Sequence, residues 1–198
     1  MVIVMYWFLT EDLSDMSMKN FHGHSANSGK RMWTTGYKFQ EPFPIEKFEV
    51  STRQIGYGFP DGDEMPDLFD STVPLMSDRL LNALRELGVD NITCYPVIIV
   101  DKESNRIWNN YSAVNVLGRI DALDRKKTKT KRNINETTNP VYLSVVINSE
   151  RIPDLLCFRL HKGPRELVIH ERIAKSLLNQ NFKGLLLIPT ENYDQTEI

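Results

Sequence analysis

The chain has 198 residues, 41% of them hydrophobic and 25% charged, with a formal net charge of −2. That length builds its own core without disulfide or metal staples, and the near-neutral balance excludes a nucleic-acid footprint spread over the whole surface. The two cysteines, Cys94 and Cys157, each sit among apolar neighbours and read as buried free thiols, and the lack of a CxxC pair excludes a thiolate zinc site.

Met1 to Leu9 is apolar throughout, with Glu11 and Asp12 close behind. The run is under half of the ~20 residues that span a bilayer. It lacks a basic leader and a small-residue cleavage site, so it is predicted to be a strand covered on both faces, in a protein that stays in the cytoplasm. From Thr10 to Glu46 no periodicity survives, and Phe48 to Thr52 alternates as a strand does. Residues 1–58 are therefore expected to form an N-terminal strand and an irregular extension packed on an α+β domain at 59–198.

An acidic loop follows, with Asp61, Asp63, Glu64, Asp67 and Asp70 and no basic residue among them. Ser77 and Asp78 then open the clearest helix. Leu80, Leu81, Leu84 and Leu87 form its apolar stripe, and Gly88 supplies a left-handed cap. Ile92 to Val100 reads as a strand placed at an edge or bulge by Pro96, and Tyr111 to Ile120 as another. The basic run Arg125, Lys126, Lys127, Lys129, Lys131 and Arg132 comes next. Pro140 to Asn148 is predicted to be a strand with Val141, Leu143, Val145 and Ile147 on one face. Short strands at Leu155–Leu160 and Glu166–Ile169, a helix over Glu171–Gln180 and a buried strand at Gly184–Pro189 complete the chain. The class is α+β, with a mixed or antiparallel sheet and two main helices.

A shift of 93 residues lays Met76-Ser-Asp-Arg79-Leu80 on Ile169-His-Glu-Arg172-Ile173, Leu84 on Leu177, Gly88 on Asn181 and Pro96 on Pro189. Glycine and asparagine best tolerate a left-handed cap. The alignment points to a duplicated strand–helix–strand unit.

Enzyme signatures are scarce. His22 and His24 lack a third ligand at metal spacing. The spacing of Cys157 and His161 fits a core strand better than a nucleophile and its base. Asp121 and Asp124 are explained by a turn in which Asp121 caps its own backbone. With no phosphate-binding loop, dinucleotide fingerprint or nucleophile elbow, neither a cofactor nor catalysis is expected. Two binding features remain. The basic run, without an aromatic for stacking, is an alternative nucleic-acid contact. The acidic loop, with Leu68 and Phe69 as apolar anchors, suits a protein interface facing a basic partner.

The order of segments resembles the eleventh immunity-protein family of bacterial polymorphic-toxin systems, formerly a domain of unknown function. Met65-Pro-Asp-Leu-Phe69, Ser77 to Leu84, Tyr95-Pro-Val97, Tyr111 to Val116 with Ile120 to Asp124, Cys157 to Leu160 and Ile169 to Pro189 carry the likeness. The resemblance implies a non-enzymatic protein that binds and neutralises a cognate toxin, often a nuclease domain. The family carries no agreed catalytic residues. The Arg125-Lys-Lys-Thr128 stretch is more basic than the family pattern.

Overall fold

Two strand–helix–strand units, spaced 93 residues apart, organise the structure. In the first, β4 (Leu75–Ser77) feeds α1 (Asp78–Glu86), which returns through β5 (Ile92–Asp101). In the second, β11 (Leu167–His170) feeds α2 (Glu171–Leu178), which returns through β12 (Leu185–Pro189). The computed structural model describes residues 5–15, 17–19, 33–39, 46–50 (backbone only), 62–70, 73–101, 104–131 and 140–197.

The helices start where a side chain replaces a missing backbone partner. Ser77 Oγ accepts the Leu80 N–H at 3.1 Å, and His170 Nδ1 accepts the Arg172 N–H at 3.1 Å. These two caps stand at the same place in the repeat. So do Gly88 (φ +91°) and Asn181 (φ +49°), which turn the chain out of each helix.

Neither unit pairs its own two strands. β6 (Ile107–Val116) lies antiparallel between β4 and β5, and β1 (Tyr6–Glu11) lies antiparallel between β11 and β12. The registers agree as well. Ala113 faces Leu75 and Tyr95, while Phe8 faces Val168 and Ile188, the counterparts at the 93-residue offset. One unit thus takes its middle strand from the chain after it, the other from the chain before it. β1 is an interior strand of the sheet built by the C-terminal segments, so Tyr6 to Glu11 are held between β11 and β12.

The remaining strands extend these two sheets. β10 (Cys157–Leu160) and β7 (Arg119–Ile120) complete the order β12-β1-β11-β10-β7, and β2 (Glu46–Val50) and β3 (Leu68–Phe69) complete β2-β5-β6-β4-β3. A small pair joins β8 (Lys129–Thr130) to β9 (Tyr142–Ser144). Strand alternation sends neighbouring residues to different cores. Trp7, Leu9, Met76, Val114 and Ile169 meet Leu80, Leu84, Ile173 and Leu177 in a core shared by both helices. Tyr6, Phe8, Phe158 and Val168 pack with Tyr193 behind one sheet. Phe69, Leu75, Val97 and Ala113 pack with Trp33 behind the other. Coverage on both faces of β1 explains why Tyr6 to Leu9 reads as unbroken apolar sequence.

The helices also clasp each other. The Arg79 guanidinium donates to the carbonyls of Gln180 and Asn181 at the end of α2, lies 4.4 Å above the Phe182 ring, and is 3.6 Å from Asp67. Its counterpart Arg172 approaches Gly88, where a Cβ would lie 3.5 Å from Arg172 Nη2.

Two expected strands are different in the structure. Tyr111 to Ile120 is not one strand, because the chain leaves the first sheet after Val116 and joins the second at Arg119. Gly118 makes that crossing at φ +121°, where a side chain would be strained. Pro140 to Asn148 keeps a strand only over Tyr142–Ser144. Tyr142 and Val145 are buried, three apart, so the apparent alternation does not describe the buried face. The backbone beyond Ser144 finds scattered partners: Val145 N–H bonds to Thr190 O, Val146 N–H to Thr128 Oγ1, and Asn148 N–H to Ala122 O. Pro96 falls beside a register shift at Val97/Ile99, and β2 pairs with β5 only from Val97 onward. Among the described residues, no strand pairs with Pro96 on that outer edge, so no ladder bond there needs the missing N–H.

Candidate functional site

The acidic segment is only partly a surface feature. Leu68 and Phe69 form β3 and are fully buried, so they are core residues and not anchors for a partner. Their strand pairs with β4 and is covered on both faces, so Leu68 enters the core shared by the helices and Phe69 the core around Trp33. Asp67 is buried too. It accepts the Ser77 hydroxyl at 2.5 Å and the Lys183 N–H at 2.9 Å, tying the start of α1 to the approach of β12. Glu64 pairs with Lys183, and Asp63, with its side chain 84% exposed, lies 3.6 Å from the buried Lys19. The loop lacks basic residues in sequence, but the fold supplies Lys19, Arg79 and Lys183 to it. Asp61 lies outside the described residues. Of the expected contacts, Asp63 and Glu64 remain presented to solvent.

Asp70 ends the segment in a different setting. It borders an open-sided cavity of about 350 Å³ together with Glu11, Glu166, Arg165, Tyr193 and Gln195. Glu11 stands at the last position of β1, and Glu166 directly precedes β11, so adjacent strands aim both carboxylates to one end of the sheet. Asp70 donates its N–H to Glu11 Oε2 at 3.1 Å. Behind it the Arg159 guanidinium, buried in β10, comes within 4.0 Å of the Asp70 carboxylate.

Burial pushes the Glu11 carboxyl up to about 7, the Asp70 N–H opposes that rise, and the Asp70 charge adds to it. Burial likewise raises Asp70 to about 6, with Arg159 pulling down and Glu166 pushing up. Among the described residues, Glu166 Oε2, the Tyr193 hydroxyl, and Arg159 Nε and Nη2 are buried without a hydrogen-bond partner. The Tyr193 hydroxyl lies beside Glu166, and burial foremost, then that carboxylate, raises its pKa. Buried polar groups left unsatisfied are costly in a stable core and recur at binding sites.

A family model, the Imm11 immunity protein family, matches residues 18–192. The chain belongs to the Imm11 immunity protein family. No curated protein matches it. The match includes Lys19 and Trp33, in a stretch where the sequence alone shows no pattern. Membership gives this Imm11 protein an immunity role, which implies a cognate toxin as partner. Among the described residues, no helix is long and apolar enough to cross a membrane.

The other sequence-nominated groups are placed apart from the cavity. In the basic loop of this Imm11 chain, Arg125 lies 3.9 Å from Asp121 and Lys127 lies 3.7 Å from Asp124. Lys126, Lys129 and Lys131 are exposed, and Arg132 lies outside the described residues. Asp124, not Asp121, shapes the turn: its carboxylate accepts the N–H groups of Lys126 and Lys127 at 3.1 and 3.3 Å. Cys157 is fully buried and its thiol is pushed up to about 12, which suits a core residue and not a nucleophile. Cys94 and Cys157 are both free thiols. His22 and His24 lie outside the described residues. Among the described residues no group of three His, Cys, Asp or Glu side chains is placed to hold a metal.

Sequence reading missed the cavity because its members come from Glu11, Asp70, Glu166 and Tyr193, with no shared motif. The one available signal was a charged residue at the end of an apolar strand, Glu11, and that pattern is too common to select it.

The raised Glu11 gives a stability prediction. A carboxyl whose folded pKa exceeds its unfolded value contributes stability at low pH and loses it as pH rises. For Glu11 that window runs from 4.5 to about 7. The parent protein should lose about 2 kcal/mol of stability through this group between pH 5 and pH 8. Glu11→Gln should remove that share of the slope. Urea midpoints at the two pH values check it, and parallel pH profiles for parent and variant would contradict it.

Proposed function

We propose that the protein neutralises its cognate toxin in the cytoplasm by stoichiometric binding, with its acidic end set against a basic toxin surface. The substrate groove of a nuclease is the surface such chemistry fits best. The observation that carries this reading is the cavity holding Glu11, Asp70 and Glu166, reached by the same segment that presents Asp63 and Glu64 to solvent. Arg159 lies nearest to Asp70, and among the described residues neither Glu11 nor Glu166 forms an ion pair. A cationic partner supplies what the fold leaves out. Asp61 is proposed to join the same surface.

Exposed charges steer association more than they set dissociation. Asp63→Asn with Glu64→Gln should therefore slow association with the toxin about fivefold at low salt and flatten its salt dependence. Stopped-flow mixing at two ionic strengths measures this. An unchanged association rate at low salt would move the interface elsewhere on the molecule.

The raised carboxylates also suit acid–base chemistry. Glu11→Gln separates the two roles: a folded variant that binds toxin as tightly as the parent but no longer protects would favour catalysis. The basic loop offers a nucleic-acid alternative through Lys126, Lys129 and Lys131. Arg125 and Lys127 are already engaged by their own aspartates, which weakens it. DNA affinity falling steeply with salt would revive it.

A further inference from the structure

We propose that the cavity bordered by Glu11, Asp70, Glu166 and Tyr193 is a socket for one cationic side chain, a lysine or arginine, of the partner protein. The inference rests on the binding mode proposed above and deepens it by naming the group the cavity receives.

Three observations support the socket. The cavity is about 350 Å³ and open on one side, near the small end of ligand pockets and suited to one side chain more than to a folded segment. Its buried polar groups can accept hydrogen bonds: Glu166 Oε2, and beside it the hydroxyl of Tyr193, a residue with no exposed surface. That hydroxyl reaches no acceptor within hydrogen-bond geometry; burial raises its pKa, and the nearby Glu166 carboxylate adds to the rise. A hydroxyl also donates, but the neighbouring carboxylates are acceptors once ionised, so an occupant must bring donors. Ammonium and guanidinium groups carry donors and no acceptors, and their charge is opposite to that of the three carboxylates that line the cavity.

The charged groups facing the cavity set the sign. From β1 comes Glu11, from the end of the acidic segment Asp70, and from the approach to β11 Arg165 and Glu166. Arg159 stands beside Asp70 in β10, and Tyr193 also lines the cavity. Arg165 is exposed to solvent, and its carbonyl, not its guanidinium, is held by Arg159. Arg159 and Arg165 both pull the Asp70 carboxyl down, so the positive charge at this end acts first on Asp70. Burial keeps the Glu11 carboxyl half-protonated near neutral pH, and an entering cation displaces that proton into solvent.

The test uses the full chain and two blocked amino acids, Nα-acetyl-arginine methylamide and Nα-acetyl-lysine methylamide, with acetyl-norleucine methylamide as the uncharged control. Carboxyl carbon shifts of Glu11, Asp70 and Glu166 report occupancy. Both cationic probes should shift these signals at millimolar concentration, bind about tenfold more tightly at pH 8 than at pH 5.5, and lower the Glu11 midpoint. Glu166→Gln should weaken them about tenfold by removing the charged acceptor, while Glu11→Gln should abolish most of the pH dependence. The proposal is overturned if the norleucine control binds as well as the cations, if acetate or phosphate binds in their place, or if neither glutamine variant changes probe affinity. Spermidine binding more than tenfold tighter than the arginine probe would overturn the assignment to a protein side chain. Loss of probe binding with intact dependence of toxin association on Asp63 and Glu64 would sink the socket and leave the broader binding mode standing. The reverse result would do the opposite.

Discussion

Phe69→Ala should destabilise the fold by about 3–5 kcal/mol, the usual cost of deleting a buried aromatic ring. Phe69 has no exposed surface, packs in the core behind β4 and β6, and sits 6.2 Å from the Tyr111 ring, centroid to centroid. Its strand is only two residues long, so its neighbours have few bonds with which to close a cavity. A denaturant melt at constant slope measures the loss. Any fall in toxin binding by this variant should follow the unfolded fraction, and adding a stabilising osmolyte should restore it. A variant that melts like the parent while releasing toxin faster would return Phe69 to the interface and contradict its place in the core.

Lys19→Met should cost a similar amount, about 3–5 kcal/mol, because it removes the buried ammonium from a buried ion pair and leaves the carboxylate's charge in place. Lys19 Nζ is fully buried and lies 3.0 Å from Asp101 Oδ2, whose side chain is 1% exposed. The pair joins the segment after β1 to the far end of β5, across 82 positions of sequence. Ser104 also donates its hydroxyl to Asp101 at 2.7 Å, which orients the carboxylate without neutralising it. Replacing both charges, with Lys19→Met and Asp101→Leu together, should recover at least half of the loss, since a buried pair removed whole is often close to neutral. Denaturant midpoints of the parent, the two single variants and the double variant complete the cycle. A Lys19→Met variant within about 0.5 kcal/mol of the parent would show that water or another group serves Asp101.

Much of the fold was legible because its signals are local. Ser77 capping α1, the leucine stripe that follows, and Gly88 at positive φ are separated by a few residues each. The same holds for the second helix, and comparing the two at a 93-residue offset placed matching caps, left-handed residues and strand starts. Family membership was legible for a related reason: caps and core positions recur in order along the chain. What failed were elements whose pairing is not local. Tyr111 to Ile120 looked continuous because nothing in the composition says that Gly118 carries the chain from one sheet to another. Pro140 to Asn148 alternated convincingly, yet its backbone bonds to four separate segments.

The acidic loop shows the division most clearly. By itself the sequence determined that five carboxylates and three large apolar residues, Met65, Leu68 and Phe69, would share one short segment, and that no basic residue would lie among them. Tertiary structure alone decided what they do. Strand pairing turned Leu68 and Phe69 into the core, and distant segments brought Lys183 to Glu64, Arg79 to Asp67 and Arg159 to Asp70. It also set Asp70 against Glu11, 59 positions earlier, in the lining of a cavity that no stretch of sequence contains. Hydrophobic period and helix caps act over three or four residues and can be read along the chain. Charge compensation acts through space, over a few ångströms between groups that folding alone makes neighbours.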